Sequence, residues 1–321
     1  MGAVTTDTSI NGKPNQDVFA AVLQQLATAD RDIIAVTSDS RGSGKLVKFG
    51  TDLPEQIVEI GIAEQNLVGV AAGLASAGKK AFAVSPACFL TARALEQIKN
   101  DVCYSDNPVR LVGISAGVSY GALGTTHHSL HDFAVLRAIN NITIVVPADN
   151  FETEQAVKAA VKSNKPVYLR FGKKSMPLLT DDETVGFEIG KGRVVTKGKD
   201  IAIIANGETV YPALQAAQKL AEQGVAATVV SMHTVKPLDT ALLSAIAEET
   251  GAIVTVEEHM VNGGMGEACA SYLLQQGYQK PFKIMGIPDE YTVTGSQVEI
   301  LNHYGVSADG ISAEALKILK Q

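Results

Sequence analysis

Tryptophan is absent from the 321 residues, and aromatic side chains of every kind make up 5% of the chain. The cores must therefore be largely aliphatic, and each phenylalanine is worth placing individually. Cysteine is scarce: Cys88, Cys103 and Cys269 stand far apart. Such spacing excludes a disulfide framework or a structural zinc site, and it fits a reducing, cytoplasmic compartment. Positive charge is also short, with 27 Lys and Arg against 34 Asp and Glu and a net charge of −7. Without a basic stripe, nucleic acid is not an expected partner. No apolar run reaches the roughly 18 residues of a membrane helix. The opening stretch, MGAVTTDTSINGKPNQ, lacks the basic-then-apolar form of a signal peptide. Gly2 with Thr6 fits the loose myristoylation pattern, but no polybasic or second lipid signal accompanies it, and we read the match as chance.

What is present is a rhythm of short apolar runs and helical patterns. Apolar residues make up 46% of the chain, and the length predicts two domains. The chain is organised around Glu59-Ile60-Gly61-Ile62-Ala63-Glu64-Gln65-Asn66 and the small apolar run LVGVAAGLASA that follows. A strand over 56–60, a turn at Gly61 and a helix put Glu64 in the first helical turn. Two readings stay open: a carboxylate favoured by the helix dipole, or one aimed at a ligand above the strand end.

Before it, 16–29 reads as an amphipathic helix and 33–37 as a buried strand ending in a polar loop that contains Asp39 and Gly42. After it come a strand at 80–84 and a helix beginning near Phe89, which is either core or stacked on a flat ring. A strand at 110–115 leads into a glycine-containing loop with three of the six histidines, His127, His128 and His131. Adjacent histidines point apart, and no cysteine or glutamate completes a metal set. Substrate hydrogen bonding and an incidental surface loop remain the two readings. Helices at 132–140 and 151–163 flank a strand at 142–146. The strand at 166–174 ends in Arg170, Lys173 and Lys174, cations that either hold a phosphate or form a solvated edge.

The rhythm lapses over 176–195, read as a linker or small hairpin, with the domain boundary near 186–190. It restarts with strands at 201–205, 226–231, 253–257 and 282–287 and helices at 209–223, 238–249, 262–276, 296–304 and 312–320. Alternating units of this kind predict an α/β fold, two doubly wound domains with mostly parallel sheets. The glycine-rich turn at 262–266 fits helix packing better than anion binding.

Taken together, GIAEQN, SPACFLTARALEQ, GALGTTHHS with DFAVLRAINNITIVVPAD, VVSMHTVKPLD and VEEHMVNGGMGE resemble the C-terminal half of the transketolase family. The resemblance implies a pyrimidine-binding domain at 1–186, a smaller C-terminal domain at 187–321, and thiamine diphosphate as cofactor. Carried over by position, Glu64 bonds the aminopyrimidine ring, where a carboxylate favours a proton on N1′ and so activates the cofactor's own base. Phe89 stacks on that ring, with Ile62 and Asp39 close to the cofactor. His127 and His128 meet the substrate, and Arg170 meets the sugar phosphate. The family's diphosphate and Mg²⁺ motif, a GDG followed by an asparagine, is not found in the chain, and Leu123 stands where relatives carry an acidic residue.

The expectation is therefore the C-terminal subunit of a split transketolase. It would act on sugar phosphates of pentose phosphate metabolism and work only with an N-terminal subunit that holds the diphosphate and Mg²⁺. The assembly expected is a homodimer core within a heterotetramer. The alternatives are the beta subunit of a 2-oxo acid dehydrogenase, which also carries GIAEQ, an enzyme like 1-deoxyxylulose-5-phosphate synthase, and a scaffold without cofactor.

Overall fold

The computed structural model describes residues 11–179 and 186–320. Strands buried on both faces organise it: Ile33–Thr37, Arg110–Ile114, Ile201–Ala205 and Ala227–Ser231 are buried at every position. A continuous apolar run of that length suits a parallel sheet covered by helices on both sides.

The first sheet has seven strands in the order Thr234–Lys236, Thr143–Val145, Val167–Arg170, Arg110–Ile114, Lys80–Pro86, Ile33–Thr37, Ile57–Glu59. All pairings are parallel except that of Thr234–Lys236, an edge strand lent by the second half of the chain. From Ile33–Thr37 the chain runs to one edge through Ile57–Glu59, then returns to build outward on the other side from Lys80–Pro86. That reversal is a topological switch point, where open α/β sheets bind ligands. The second sheet has five strands in the order Phe282–Ile287, Ile253–Met260, Ile201–Ala205, Ala227–Ser231, Arg193–Thr196. Its antiparallel member is Arg193–Thr196. The α/β architecture is thus as expected.

The segment read as a linker is more structured than its polar composition suggests. Ser175–Pro177 pairs antiparallel with Asn11–Pro14, and Arg193–Thr196 is the edge strand just named. Strands of three and four residues are too short to show a period, so their apolar signal is weak; residues 180–185 lie outside the described residues. The predicted strand at 56–60 is shorter, Ile57–Glu59. Gln56 instead ends a 3₁₀ turn, where its side-chain amide serves the carbonyls of Ala27 and Ile33 at 3.0 Å each.

Aliphatic packing dominates, but the phenylalanines cluster where they occur. Phe19 stacks on Phe171 at 5.3 Å between centroids beneath the first sheet. The two halves are stapled by a buried pair: Arg193 donates to Glu152 at 2.8 Å, and both side chains are buried. The 262–266 turn does bind an anion, its own. The Glu257 carboxylate accepts from the backbone of Met265 at 2.6 Å and of Gly266 at 2.9 Å, closing the N-terminus of helix Met265–Gln275.

Burial pushes Glu257 up to about 7 despite those bonds, and raises Glu208, with the charge of Glu258 next. Burial lowers His233 and His259 to about 4. The folded state therefore holds carboxyl protons that the unfolded chain releases from about pH 4.5, so their stabilisation is lost as pH rises toward and through 7. The histidines act oppositely: their stabilisation is present above about 6.5 and lost as pH falls toward 4. Thermal scans should show a midpoint nearly level between about pH 5 and 6.5 and several degrees lower at pH 8. Glu257→Gln should reduce that alkaline fall.

Candidate active site

The C-terminal ends of adjacent strands at the switch point carry the candidate residues. Glu59, the last residue of its strand, organises the first of them. Its carboxylate accepts from the backbone N–H of Asp39 at 2.6 Å, the N–H of Gly61 at 3.1 Å, the Thr37 hydroxyl at 2.8 Å and Arg41 Nε at 3.2 Å. Burial raises its pKa, but these backbone and hydroxyl donors outweigh it and hold the group below the usual carboxylate range. One side chain thus joins the Asp39 loop to the turn before Glu64. Gly61 has φ +79°, a conformation that disfavours a side chain, and lets the strand fold straight into helix Glu64–Ser76. Asp39 itself sits at φ +52° and is exposed.

Glu64 is 3% exposed, at the helix N-terminus. Its two carboxylate oxygens lie 3.2 and 3.0 Å from Arg93 Nη1. The same guanidinium lies over the Phe89 ring, 4.3 Å from its centroid. Phe89 follows the next strand, Lys80–Pro86, and is half-buried. Glu64 and Phe89 are therefore spaced to hold one flat, N–H-bearing group between them, one edge on the carboxylate and one face on the ring. An aminopyrimidine protonated at N1′ has that shape and such a donor, and Arg93 fills the space here.

His127 also meets Phe89 edge-on, 5.3 Å between centroids, and Tyr120 edge-on at 5.5 Å. Its Nδ1 is 3.0 Å from the Thr126 hydroxyl. Lys173 Nζ lies 4.5 Å from the Tyr120 centroid and is exposed. The row Glu64, Arg93, Phe89, His127, Tyr120, Lys173 runs along the sheet's C-terminal edge, from a buried acid to an exposed cation. Ile62, 74% exposed, stands beside the buried end as an apolar side chain facing outward.

Asp39 lies outside that row, tied to it through Glu59, and two further expected residues are turned away from it. Arg170 is buried, and its guanidinium donates to Asp132 at 2.8 Å and to the carbonyls of Ser129 at 3.1 Å and Glu258 at 2.8 Å. With Nε and Nη2 turned inward and so occupied, its assignment as the phosphate anchor is corrected: it is first an internal brace. His128 is also corrected from substrate contact to internal brace. It is buried, with Nε2 at 2.9 Å from the Gly121 carbonyl and Nδ1 at 2.7 Å from the Thr292 hydroxyl. Burial lowers its pKa. His131 lies 3.4 Å from the Thr91 hydroxyl. Among the described residues no three His, Cys, Asp or Glu side chains converge as metal ligands. Sequence reasoning gave no role to Arg93, Tyr120 or the Glu59 side chain, and left Lys173 open between a phosphate contact and a solvated edge. Lys173 had a signal, a cation just past a strand end, but Arg170 carried the same one.

Comparison with known proteins settles the class. The chain matches the transketolase pyrimidine-binding domain over residues 13–177 and the transketolase C-terminal domain over residues 190–311. The chain belongs to the transketolase family. It is 48% identical to an apulose-4-phosphate transketolase subunit of Phocaeicola vulgatus, over 94% of this chain and 96% of that relative. A solved split-gene transketolase, described as an inactive beta4 tetramer, matches with TM-score 0.86 and 36% identity over 96% of this chain and 99% of that one. A 1-deoxy-D-xylulose-5-phosphate synthase of Geobacter sulfurreducens is 36% identical over 97% of this chain, which spans 49% of that relative. Membership of this family of transferases implies dependence on thiamine diphosphate, and the Glu64–Phe89 spacing fits its pyrimidine. No helix among the described residues is long and apolar enough to cross a membrane.

Proposed function

We propose that this chain is the pyrimidine-holding subunit of a two-chain transketolase that moves a two-carbon ketol unit between sugar phosphates. The observation that carries the proposal is the single guanidinium bridging Glu64 and Phe89. When bound, thiamine diphosphate supplies the electron sink for carbon–carbon cleavage. Glu64 holds a proton on the pyrimidine N1′, and Phe89 fixes the ring face. Both require Arg93, half exposed and so free to swing, to yield its place. His127 hydrogen-bonds the substrate at the reacting end, while Asp39 and Ile62 border the cofactor. Lys173, rather than Arg170, meets the substrate phosphate at the mouth.

The diphosphate and Mg²⁺ belong to an N-terminal partner chain, whose docking covers the exposed Ile62. The assembly is a homodimer of this chain flanked by two partners, in the cytoplasm, where the buried free thiols of Cys88, Cys103 and Cys269 stay reduced. The chain divides at residue 186, with Thr234–Lys236 crossing back to the first sheet. The relative at 48% identity makes apulose 4-phosphate the first donor to test.

The test mixes this chain with the chain encoding the missing diphosphate motif and supplies thiamine diphosphate and Mg²⁺. Apulose 4-phosphate or xylulose 5-phosphate is offered as donor with ribose 5-phosphate as acceptor, and a parallel reaction offers pyruvate with glyceraldehyde 3-phosphate. Transfer with either donor supports the proposal; turnover with pyruvate alone replaces it with the synthase reading that the 36% relative favours. Lys173→Ala should raise the donor KM about tenfold and leave the melting midpoint unchanged, because an exposed cation contributes little to stability. An unchanged KM would remove Lys173 from the phosphate site.

A further inference from the structure

The loop that carries His127 leaves the first sheet but is packed by the second half of the chain. Val118 N–H donates to Glu258 Oε1 at 2.8 Å, and Met260 N–H donates to the Leu130 carbonyl at 3.1 Å. A small apolar cluster of Val118, Leu130, Ile287 and Ile300 joins the two. At the loop tip, Gly121 packs so closely on the segment 288–297 that a Cβ there would lie 2.6 Å from the Gly295 carbonyl.

Thr292 is the polar centre of that contact. Its hydroxyl is 2.7 Å from His128 Nδ1 and 3.1 Å from the Thr125 hydroxyl. The bond network assigns the directions. His128 Nε2–H donates to the Gly121 carbonyl, so neutral Nδ1 accepts from the Thr292 hydroxyl, whose oxygen accepts from Thr125. Both ends of the turn are thereby tied to one side chain. Just before Thr125, the Gly124 carbonyl accepts from the backbone of His127 at 2.9 Å and of His128 at 3.2 Å. The His127 ring has only edge contacts with Phe89 and Tyr120 and a bond to its neighbour Thr126. Its placement therefore depends on the backbone that Thr292 holds.

We propose that Thr292 is a positioning residue for His127, so that the C-terminal domain sets the substrate-facing side of the site while leaving the cofactor-facing side alone. This rests on the reading of His127 as a substrate contact. Glu64 and Phe89 follow separate strands and have no hydrogen bond, ion pair or ring contact with the 288–297 segment; Phe89 meets the braced loop only at the His127 ring edge, which leaves the two sides separable.

The experiment compares Thr292→Val, which removes the hydroxyl at nearly constant shape, with Thr292→Ser, which keeps it. In the full chain, amide exchange over 121–128 should quicken roughly five- to tenfold in Thr292→Val, the effect of one lost buried hydrogen bond, and stay near wild type in Thr292→Ser. Side-chain ¹⁵N shifts of His128 should show an accepting Nδ1 in wild type and a changed tautomer balance in Thr292→Val. In the assembled pair, donor KM should rise about five- to tenfold in Thr292→Val with thiamine diphosphate affinity unchanged and kcat less affected. Unchanged exchange and KM would overturn the proposal. So would an equal loss of donor and cofactor binding, which marks general destabilisation. If exchange responds but His127→Ala leaves donor KM untouched, the brace is real and the substrate role of His127 falls, taking the functional half of the proposal with it.

Discussion

Replacing Glu64 with Ala in the assembled enzyme should lower turnover by at least about a hundredfold, the low end of what a positioned acid or base contributes. The melting midpoint should barely move. Glu64 is buried, but its partner Arg93 has a side chain 48% exposed, so the surviving guanidinium turns to water rather than staying stranded. Truncation also relieves a carboxylate of its desolvation. Glu64→Gln sharpens the point: it keeps the volume and a hydrogen bond but loses the charge that favours a proton on the pyrimidine. It should therefore be nearly as inactive as Ala. Activity within a few-fold of wild type in either variant would remove Glu64 from the chemistry.

Arg170→Met should have the opposite signature, a loss of stability of about 3–5 kcal/mol, as when one member of a buried pair is removed. Asp132 is fully buried, and its Oδ1 already lacks a hydrogen-bond partner. The charge of Arg170 helps hold its pKa below the ordinary value against burial. Methionine leaves that carboxylate with the Tyr168 hydroxyl at 2.8 Å and neutral His259. The carbonyls of Ser129 and Glu258 lose a donor as well. Adding Asp132→Asn should restore part of the loss, because it removes the stranded charge. Thermal melts and urea titrations of the full chain measure this. A higher donor KM with an unchanged melting midpoint would instead reinstate Arg170 as a phosphate anchor.

Arg170 and His128 show where sequence reading stops. The strands at 33–37, 80–86, 110–114 and 201–205 were readable because strands covered on both faces need unbroken apolar runs. The Glu64 turn was readable because glycine, acid and small-residue helix follow one another locally. By contrast, Arg170 and Lys173 lie three positions apart at one strand end, and nothing local says which is inside. The deciding partners, Asp132 and Glu258, come from a helix and from the other sheet. His127 and His128 must point apart, but which faces the site depends on Thr292, 164 positions beyond His128. The edge strands at 175–177 and 193–196 were missed because three or four residues are too few to show an alternating pattern.

The central claim is that Glu64 meets a heterocycle whose charged tail another polypeptide holds. Calorimetric titration of thiamine diphosphate with Mg²⁺ tests it most directly, using this chain alone, the partner alone, the wild-type pair and the pair carrying Glu64→Ala. Saturable heat from the wild-type pair, none from this chain alone and a clearly weakened signal from the variant pair are predicted. Tight binding by this chain alone, or equal affinity in both pairs, would contradict the account.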